Sequence, residues 1–189
     1  MLDTARIVRA LADSPPRKIE KKGLHPAAVL LPVYLREQEA TVLFTRRTEH
    51  LKHHQGEISF PGGRWHPNDV DLQATALRET EEEMGIRAQD VTILGRLDDS
   101  ISVHGYHVAA FVGTFPWPYV FQVDSREIAA VIEVPLATLR DPTRWRQEDW
   151  RHRGRMYPVD FCTVGEHEIW GLTAAILRQF LHRAFGMER

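Results

Sequence analysis

The residues with the clearest chemical potential are four glutamates within five consecutive positions: Glu79, Glu81, Glu82 and Glu83. Each residue of a helix advances by about 100°, so Glu82 and Glu83 share the face of Glu79, whereas Glu81 points away. Like charges on one face repel each other, and a hard divalent cation relieves that repulsion. Carboxylate oxygens suit Mg²⁺ or Mn²⁺, and Mg²⁺ commonly completes its shell with substrate phosphates. The spacing therefore predicts a metal site that acts on a phosphate compound.

A solvated acidic helix face is the simplest alternative, because that is the usual meaning of an isolated acidic run. Three neighbouring features argue against it here. The acids directly precede Gly85 at the predicted helix C-terminus, where the helix dipole disfavours negative charge. Arg78 stands immediately before them and can orient one carboxylate. Gly62 and Gly63 lie upstream, where backbone without side chains can approach closely. Together these features favour a metal site over a solvated acidic helix face.

Helices and strands that alternate along the chain must position these acids. Apolar periodicity predicts helices over residues 3–13, 70–84 and 170–185. Apolar and β-branched runs predict strands over residues 27–35, 41–45, 91–97, 107–115, 128–134 and 157–162. Interleaved elements of this kind favour an α/β fold, a sheet covered by helices, and leave the strand directions open. We expect an N-terminal helix and linker over residues 1–25 and one domain over residues 26–189.

The composition of the 189-residue chain argues against several functions. Its 24 Lys and Arg nearly balance 26 Asp and Glu, and the formal net charge of −2 gives no reason to expect nucleic-acid binding. No apolar run approaches the roughly 18 residues that span a membrane. The single cysteine, Cys162, cannot form an intrachain disulfide or a cysteine-based zinc site. Since the N-terminus lacks the apolar stretch of a secretory signal, we expect a soluble cytoplasmic protein with a small-molecule substrate and no membrane partner. The oligomeric state stays open.

The sequence around the glutamates resembles the signature of the Nudix hydrolases. That signature is Gly, five residues, Glu, seven residues, then Arg-Glu-hydrophobic-x-Glu-Glu-x-Gly-hydrophobic. Its second half is matched by Arg78, Glu79, Glu82, Glu83, Gly85 and Ile86, with Thr80 at the first hydrophobic place. The first half departs from the signature, because Gly63 lies one residue too far upstream and the early Glu is replaced by Asp69 or Asp71.

A longer stretch, residues 43–63, is similar to the coenzyme A pyrophosphatase branch of that family. The branch motif reads Leu-Leu-Thr-x-Arg-Ser, then Leu, then His-x-Gly-x-Ile/Val-x-Phe-Pro-Gly-Gly. The chain has LFTRRT, then L, then HQGEISFPGG at these places. The resemblance implies an α/β/α sandwich around a mixed sheet, with Mg²⁺ or Mn²⁺ on the helix at 70–84. It also implies hydrolysis of the pyrophosphate of coenzyme A and its derivatives to 4′-phosphopantetheine and adenosine 3′,5′-bisphosphate.

The resemblance implies roles for individual residues. The candidate metal ligands are Glu79, Glu82, Glu83 and, through its carbonyl, Gly62. The candidate catalytic residues are Glu82, Arg78, which holds a ligand carboxylate, and Glu127, because acids ahead of that strand act as bases or ligands in some Nudix enzymes. Which carboxylate of the glutamate trio acts as the base stays open. The candidate substrate-binding residues are Arg46, Arg47, Lys52, His54 and Arg64, most of them for their charge and His54 for its place in the branch motif.

Two alternative functions stay open. The metal-binding signature also fits hydrolysis of another nucleoside diphosphate derivative, such as ADP-ribose or a dinucleotide, and only residues 43–63 favour coenzyme A. A non-catalytic module that senses a nucleotide is the second alternative. Such modules usually lose the carboxylates of the signature, whereas this chain keeps Glu79, Glu82 and Glu83.

Overall fold

The computed structural model describes residues 2–20, 22–48, 56–152 and 154–188, which form one large mixed sheet, a smaller sheet and four α-helices. The helices are α1 (Thr4–Ala12), α2 (Leu72–Met84), α3 (Leu136–Leu139) and α4 (Gly171–Phe185). The strands are β1 (His25–Arg36), β2 (Glu39–Arg47), β3 (Ile58–Ser59), β4 (Gly62–Arg64), β5 (Thr92–Arg96), β6 (Ser100–Ile101), β7 (Tyr106–Thr114), β8 (Ile128–Pro135), β9 (Trp145–His152), β10 (Arg155–Val164) and β11 (His167–Trp170). Every predicted helix and strand has a counterpart within a few residues of its expected bounds. Within the described residues, no helix is both long and apolar enough to cross a membrane.

Strand β1 is the centre of the large sheet. The order is β3-β2-β1-β7-β5, with β4 beside β1, β6 beside β7 and β8 beside β2. Strand β1 pairs in parallel with β7, while its other edge pairs antiparallel with β4 at 27–29 and with β2 at 33–36. Pro32 lies between those two antiparallel segments, so its missing N–H removes no bond from either of them. The sheet is therefore mixed.

Helices cover both faces of this sheet. On one face, Ala76 of α2 packs against Ala28 and Leu30 of β1. The opposite face carries Leu31 of β1, which belongs to a larger buried cluster with Leu177 of α4. Successive side chains of a strand point to opposite faces, and β1 thus supplies both layers of the core. The expected α/β/α sandwich is confirmed.

The N-terminal segment packs on the same core. Ile7 of α1 is fully buried in the cluster that also contains residues of α4. After α1, the carboxylates between β5 and β6 hold the chain: Asp98 accepts from the backbone N–H of Arg17 at 2.8 Å, and Asp99 from that of Ile19 at 2.9 Å. The segment before β1 is therefore tied to the end of the sheet, while the domain boundary at residue 25 stays a prediction.

The sequence patterns missed the short strands and the exposed strands. Gly62 and Gly63 predict a turn, but they form β4, which pairs with β1. Strand β9 is exposed along most of its length, so it lacks the apolar alternation of a half-buried strand. It pairs with β10, and β10 pairs with β11, as a second sheet against α4.

Candidate active site

Helix α2 carries the glutamates and has a defined cap at each end. The Asp71 side chain accepts from the backbone N–H of Ala74 at 2.8 Å and caps the start. Gly85 caps the end in the left-handed conformation (φ 70°), and its N–H donates to the carbonyl of Glu81 at 2.8 Å. A Cβ at position 85 would also come within 2.6 Å of the Gln122 side chain. The predicted end of the helix at Gly85 is confirmed.

The two glycines of β4 lie where no side chain fits, Gly63 against α2 and Gly62 against β1. A Cβ on Gly63 would lie 2.5 Å from the carboxylate of Glu79, and one on Gly62 would lie 2.4 Å from the carbonyl oxygen of Ala28. This approach lets the N–H of Gly62 donate to Oε2 of Glu83 at 3.3 Å. The two glycines therefore position two of the glutamates: Gly63 lies against Glu79, and Gly62 donates to Glu83. The expected role of the Gly62 carbonyl as a metal ligand stays a prediction.

Glu83 is a buried acid, with only 4% of its surface exposed. Its Oε1 lies 3.6 Å from Nη1 of Arg47. Burial raises the pKa of the Glu83 carboxyl to about 8; the Arg47 guanidinium and the Gly62 N–H oppose this shift, and the charges of Glu79 and Glu127 add to it. Desolvation and repulsion both disfavour the ionised form, so a cation placed here would stabilise it.

Glu79 lies one turn before Glu83 and is largely buried as well, with 19% of its side chain exposed. Burial raises the pKa of Glu79, the hydrogen bond and charge of Arg78 oppose the shift, and repulsion from Glu82 and Glu127 adds to it. Nη1 of Arg78 lies 2.9 Å from Oε1 of Glu79. Burial thus disfavours the ionised form of both Glu79 and Glu83, although each lies beside an arginine.

Arg78 is tightly bonded on several sides. Its Nε and Nη2 donate to the two carboxylate oxygens of Asp69 at 2.9 and 3.0 Å. Its Nη1 donates to Glu82 at 2.9 Å, and Nη2 also donates to the carbonyl of Arg64 at 3.0 Å. Asp69 further accepts from the hydroxyl of Thr75 at 2.9 Å. The hydrogen bonds from Arg78 hold the pKa of Asp69 well below its usual range. This network fixes α2 relative to β4.

The structure also decides between two acids that the sequence left open. Asp69 makes the bidentate pair with Arg78, whereas Asp71 caps the start of α2. Asp69 is thus the early acid that contacts the metal-binding signature.

Glu127 reaches the site from the segment before β8. Its Oε2 lies 3.6 Å from Nη2 of Arg47, and half of its side chain is exposed. The backbone N–H of Thr48 donates to the carbonyl of Glu127 at 2.9 Å and holds the two segments together. Arg47 therefore bridges two acids, Glu83 and Glu127, that lie on different elements.

Comparison with known proteins agrees with this geometry. A family model described as the NUDIX domain matches residues 23–154. An uncharacterized Nudix hydrolase, NudL, of Yersinia pestis (strain Pestoides F) is 41% identical over 152 residues, which cover 80% of this chain and 76% of that protein. The chain belongs to the Nudix hydrolase family. Nudix hydrolases split pyrophosphate bonds and generally need a divalent metal such as Mg²⁺ or Mn²⁺.

Solved structures share the fold of this Nudix hydrolase. An Ap4A hydrolase of C. elegans in a binary complex has a TM-score of 0.51 and 20% identity, and the match covers 59% of this chain and 80% of that one. RenU, a Nudix hydrolase from M. smegmatis, has a TM-score of 0.51 and 21% identity, with 62% and 72% of the two chains covered. At these identities the likeness shows the fold alone.

The acids of this Nudix hydrolase have the right chemistry for a hard cation, but the described side chains do not form a cluster of three metal-ligating groups. Glu79 and Glu83 offer buried carboxylate oxygens, which are the donors that Mg²⁺ and Mn²⁺ prefer. Among the residues that the structure describes, no three Asp, Glu, His or Cys side chains form a group that could hold a metal ion. Glu79 and Glu82 both lie 2.9 Å from Nη1 of Arg78, and 60% of the Glu82 side chain is exposed, while Glu83 lies 3.6 Å from Arg47. The expected role of all three acids as metal ligands stays a prediction. Here Arg47 and Arg78 neutralise the acids.

The remaining predicted site residues are not all brought to this cluster. The guanidinium of Arg64 lies over the ring of Tyr106 at 5.0 Å, while its carbonyl accepts from Arg78. Arg46 is exposed near the end of β2. Lys52 and His54 lie outside the described residues. The sequence analysis did not predict the hydrogen bond from Thr75 to Asp69. Its signal in the sequence was the unusual spacing of acids after Gly63.

Proposed function

We propose that this Nudix hydrolase is a Mg²⁺- or Mn²⁺-dependent coenzyme A pyrophosphatase. It would cleave coenzyme A and its derivatives to 4′-phosphopantetheine and adenosine 3′,5′-bisphosphate. The observation that carries the proposal is the packing of Glu79 and Glu83 against the glycines of β4, with Arg47 facing Glu83. Arg47 and β4 come from the stretch that is similar to the coenzyme A branch, and the two acids come from the family signature. Residues of both motifs thus meet in one place.

The chain's own groups have separate tasks in this reaction. A bound divalent cation would supply neutralisation of phosphate charge and a water molecule of lowered pKa. Glu79 and Glu83 would hold it, with Glu82 and the Gly62 carbonyl as further donors. Glu82 or Glu127 would accept the proton of the attacking water on a carboxylate oxygen. The water oxygen bonds to phosphorus as the bridging P–O bond breaks, and one water is consumed for each pyrophosphate.

The substrate would be held by positive side chains around these acids. A guanidinium matches phosphate oxygens in a bidentate manner, which supports Arg47 and the neighbouring Arg46 as phosphate contacts. Arg64 lies over the ring of Tyr106, and its contact with phosphate rests on its charge. The contributions of Lys52 and His54 rest on the sequence motif. A cytoplasmic location, supported by a single buried cysteine, completes the proposal.

A substrate panel tests the proposal directly. The purified protein would be incubated with Mg²⁺ or Mn²⁺ and with coenzyme A, ADP-ribose, NADH or diadenosine polyphosphates, and the products would be separated by chromatography. We expect coenzyme A to have the highest kcat/KM and to yield 4′-phosphopantetheine, and excess EDTA to abolish turnover. A preference for ADP-ribose or a dinucleotide would contradict the assignment to coenzyme A. Binding without turnover would instead support a nucleotide-sensing module.

A further inference from the structure

Arg47 occupies an unusual position between two acids. Its Nη1 and Nη2 lie 3.6 Å from Oε1 of Glu83 and Oε2 of Glu127, respectively. The backbone holds it there, because the N–H of Arg47 donates to the carbonyl of Glu57 at 3.1 Å and the next N–H donates to the carbonyl of Glu127. A positive group therefore stands where the acids of α2 meet the segment before β8.

The bonding of Arg47 in this position is incomplete. Charge-assisted N–H···O bonds have lengths of about 2.7–2.9 Å, so both contacts of Arg47 are ion pairs without good hydrogen bonds. Among the residues that the structure describes, its buried Nε also has no hydrogen-bond partner. The side chain is only 24% exposed, so water does not fully compensate. Arg47 thus has N–H donors without good acceptors at the place where an anionic substrate is expected.

We propose that Arg47 is a positioning residue that stands in for the divalent cation when the site is empty, and that cation binding to Glu83 releases its guanidinium toward the substrate. The inference rests on the proposed function. A divalent cation on Glu83 repels a guanidinium a few ångströms away, and both compete for the same carboxylate oxygens. Arg47 must therefore turn away, and its unused donors fit a diphosphate. Since coupling is reciprocal, the substrate would also favour cation binding by removing this competitor.

Cation affinity in the absence of substrate is the first test. Free Mn²⁺ would be measured by electron paramagnetic resonance during titration of the wild type, Arg47→Gln and Arg46→Gln. Arg47→Gln removes the competitor, so we expect it to bind Mn²⁺ at least about fivefold more tightly than the wild type. Arg46→Gln removes an equal charge from the adjacent residue and should change Mn²⁺ affinity by less than about twofold. Equal or weaker Mn²⁺ binding by Arg47→Gln would overturn the proposal, as would an equal gain in both variants.

Release of the guanidinium is the second test, and it does not depend on turnover. The Nε–H resonance of Arg47 in ¹⁵N-edited spectra would be identified by its loss in Arg47→Gln. We expect Mg²⁺ to shift this resonance and to leave that of Arg78 nearly unchanged, because Arg78 stays bonded to Asp69. An unmoved Arg47 resonance at saturating Mg²⁺ would contradict release. If both tests succeed while coenzyme A is not cleaved, the proposed substrate is wrong and the competition between Arg47 and the cation still holds.

Discussion

Two arginines neutralise the same group of acids in different ways. Arg78 donates bonds of 2.9–3.0 Å to Asp69, Glu82 and a backbone carbonyl. Arg47 lies 3.6 Å from each of its acids, and its buried Nε finds no hydrogen-bond partner within the described part of the chain. Buried charge is well compensated only when the geometry is good and the remaining protons are satisfied. The Arg78 network is therefore scaffold, while the Arg47 contacts leave bonding capacity for a ligand.

The largest effect is expected when the tight pair is broken. Arg78→Met would leave Asp69, whose side chain is 5% exposed, as an uncompensated buried charge. We expect the free energy of unfolding to fall by about 3 kcal/mol or more, measured by urea denaturation in EDTA. Arg47→Met is the matched control. Burial already raises the pKa of Glu83 to about 8, so Glu83 can take up a proton when Arg47 is removed, and the loss of stability should be clearly smaller. Equal losses would remove the distinction between the two arginines.

Loss of the acid that faces Arg47 should affect catalysis more than stability. Glu83→Gln keeps the shape of the side chain but removes a charge that holds the cation. We expect kcat on coenzyme A to fall at least about 100-fold, which corresponds to roughly 2.7 kcal/mol. Glu81→Gln is the control, because Glu81 is exposed and only accepts from the N–H of Ala88 at 3.0 Å, which a glutamine oxygen can also do. Near-normal turnover in Glu83→Gln would refute its role as a ligand.

A smaller effect is expected when a methyl group is added at Gly63, beside Glu79. In Gly63→Ala the new methyl group would lie 2.5 Å from the Glu79 carboxylate, so that carboxylate must move. We expect Mn²⁺ affinity to fall about 10-fold, or roughly 1.4 kcal/mol. The control is Gly113→Ala, whose Cβ would lie 2.9 Å from Leu30 in the core. It should destabilise the fold by about 1–3 kcal/mol and leave Mn²⁺ affinity unchanged. The opposite pattern would show that β4 does not position the metal site.

The smallest effect concerns stability at acid pH. Because Arg78 lowers the pKa of Asp69 in the folded state, the stability this pair contributes is present above the unfolded pKa of about 4 and is lost as pH falls through the lower folded value. Between pH 6 and pH 3, the free energy of unfolding of the wild type, measured by urea denaturation, should therefore fall by about 1 kcal/mol more than that of Asp69→Asn.

The exposed pair of Asp124 with Arg126 provides the control for this pH effect. The side chain of Arg126 is 88% exposed, so solvent screens the pair. Asp124→Asn should change the decline much less than Asp69→Asn does. A larger effect for Asp124→Asn than for Asp69→Asn would contradict the assignment of Asp69 to the scaffold.

Much of the fold could be predicted because its signals are local. Gly85 ends α2 where the sequence predicts it, since a left-handed cap depends on the neighbouring residues. The buried strands β1, β7 and β8 carry apolar runs that are visible in the sequence. Strand β9 was missed because an exposed strand has no such pattern. Strand β4 was missed because its glycines serve close packing, of Gly63 against α2 and of Gly62 against β1, which no local rule reveals.

The candidate site was predictable in its residue types and not in its arrangement. Helical spacing predicts that Glu79, Glu82 and Glu83 share a face, but their surroundings differ. Glu82 is exposed, Glu79 is partly buried beside Arg78, and Glu83 is buried. Asp69 and Asp71 were equivalent candidates in the sequence, since either spacing fits. Their bonds to Arg78 and to the start of α2 separate them.

The sequence by itself determined that helix α2 exists, where it ends and that it carries a concentrated run of acids, because periodicity, caps and spacing act within a few residues. Only the tertiary structure decided that Glu83 loses its water, that Arg47 faces it together with Glu127, and that Gly62 donates to it. Desolvation and charge pairing depend on which segments are close in space. The segments that meet here are far apart in the chain, so their meeting cannot be read from any one of them.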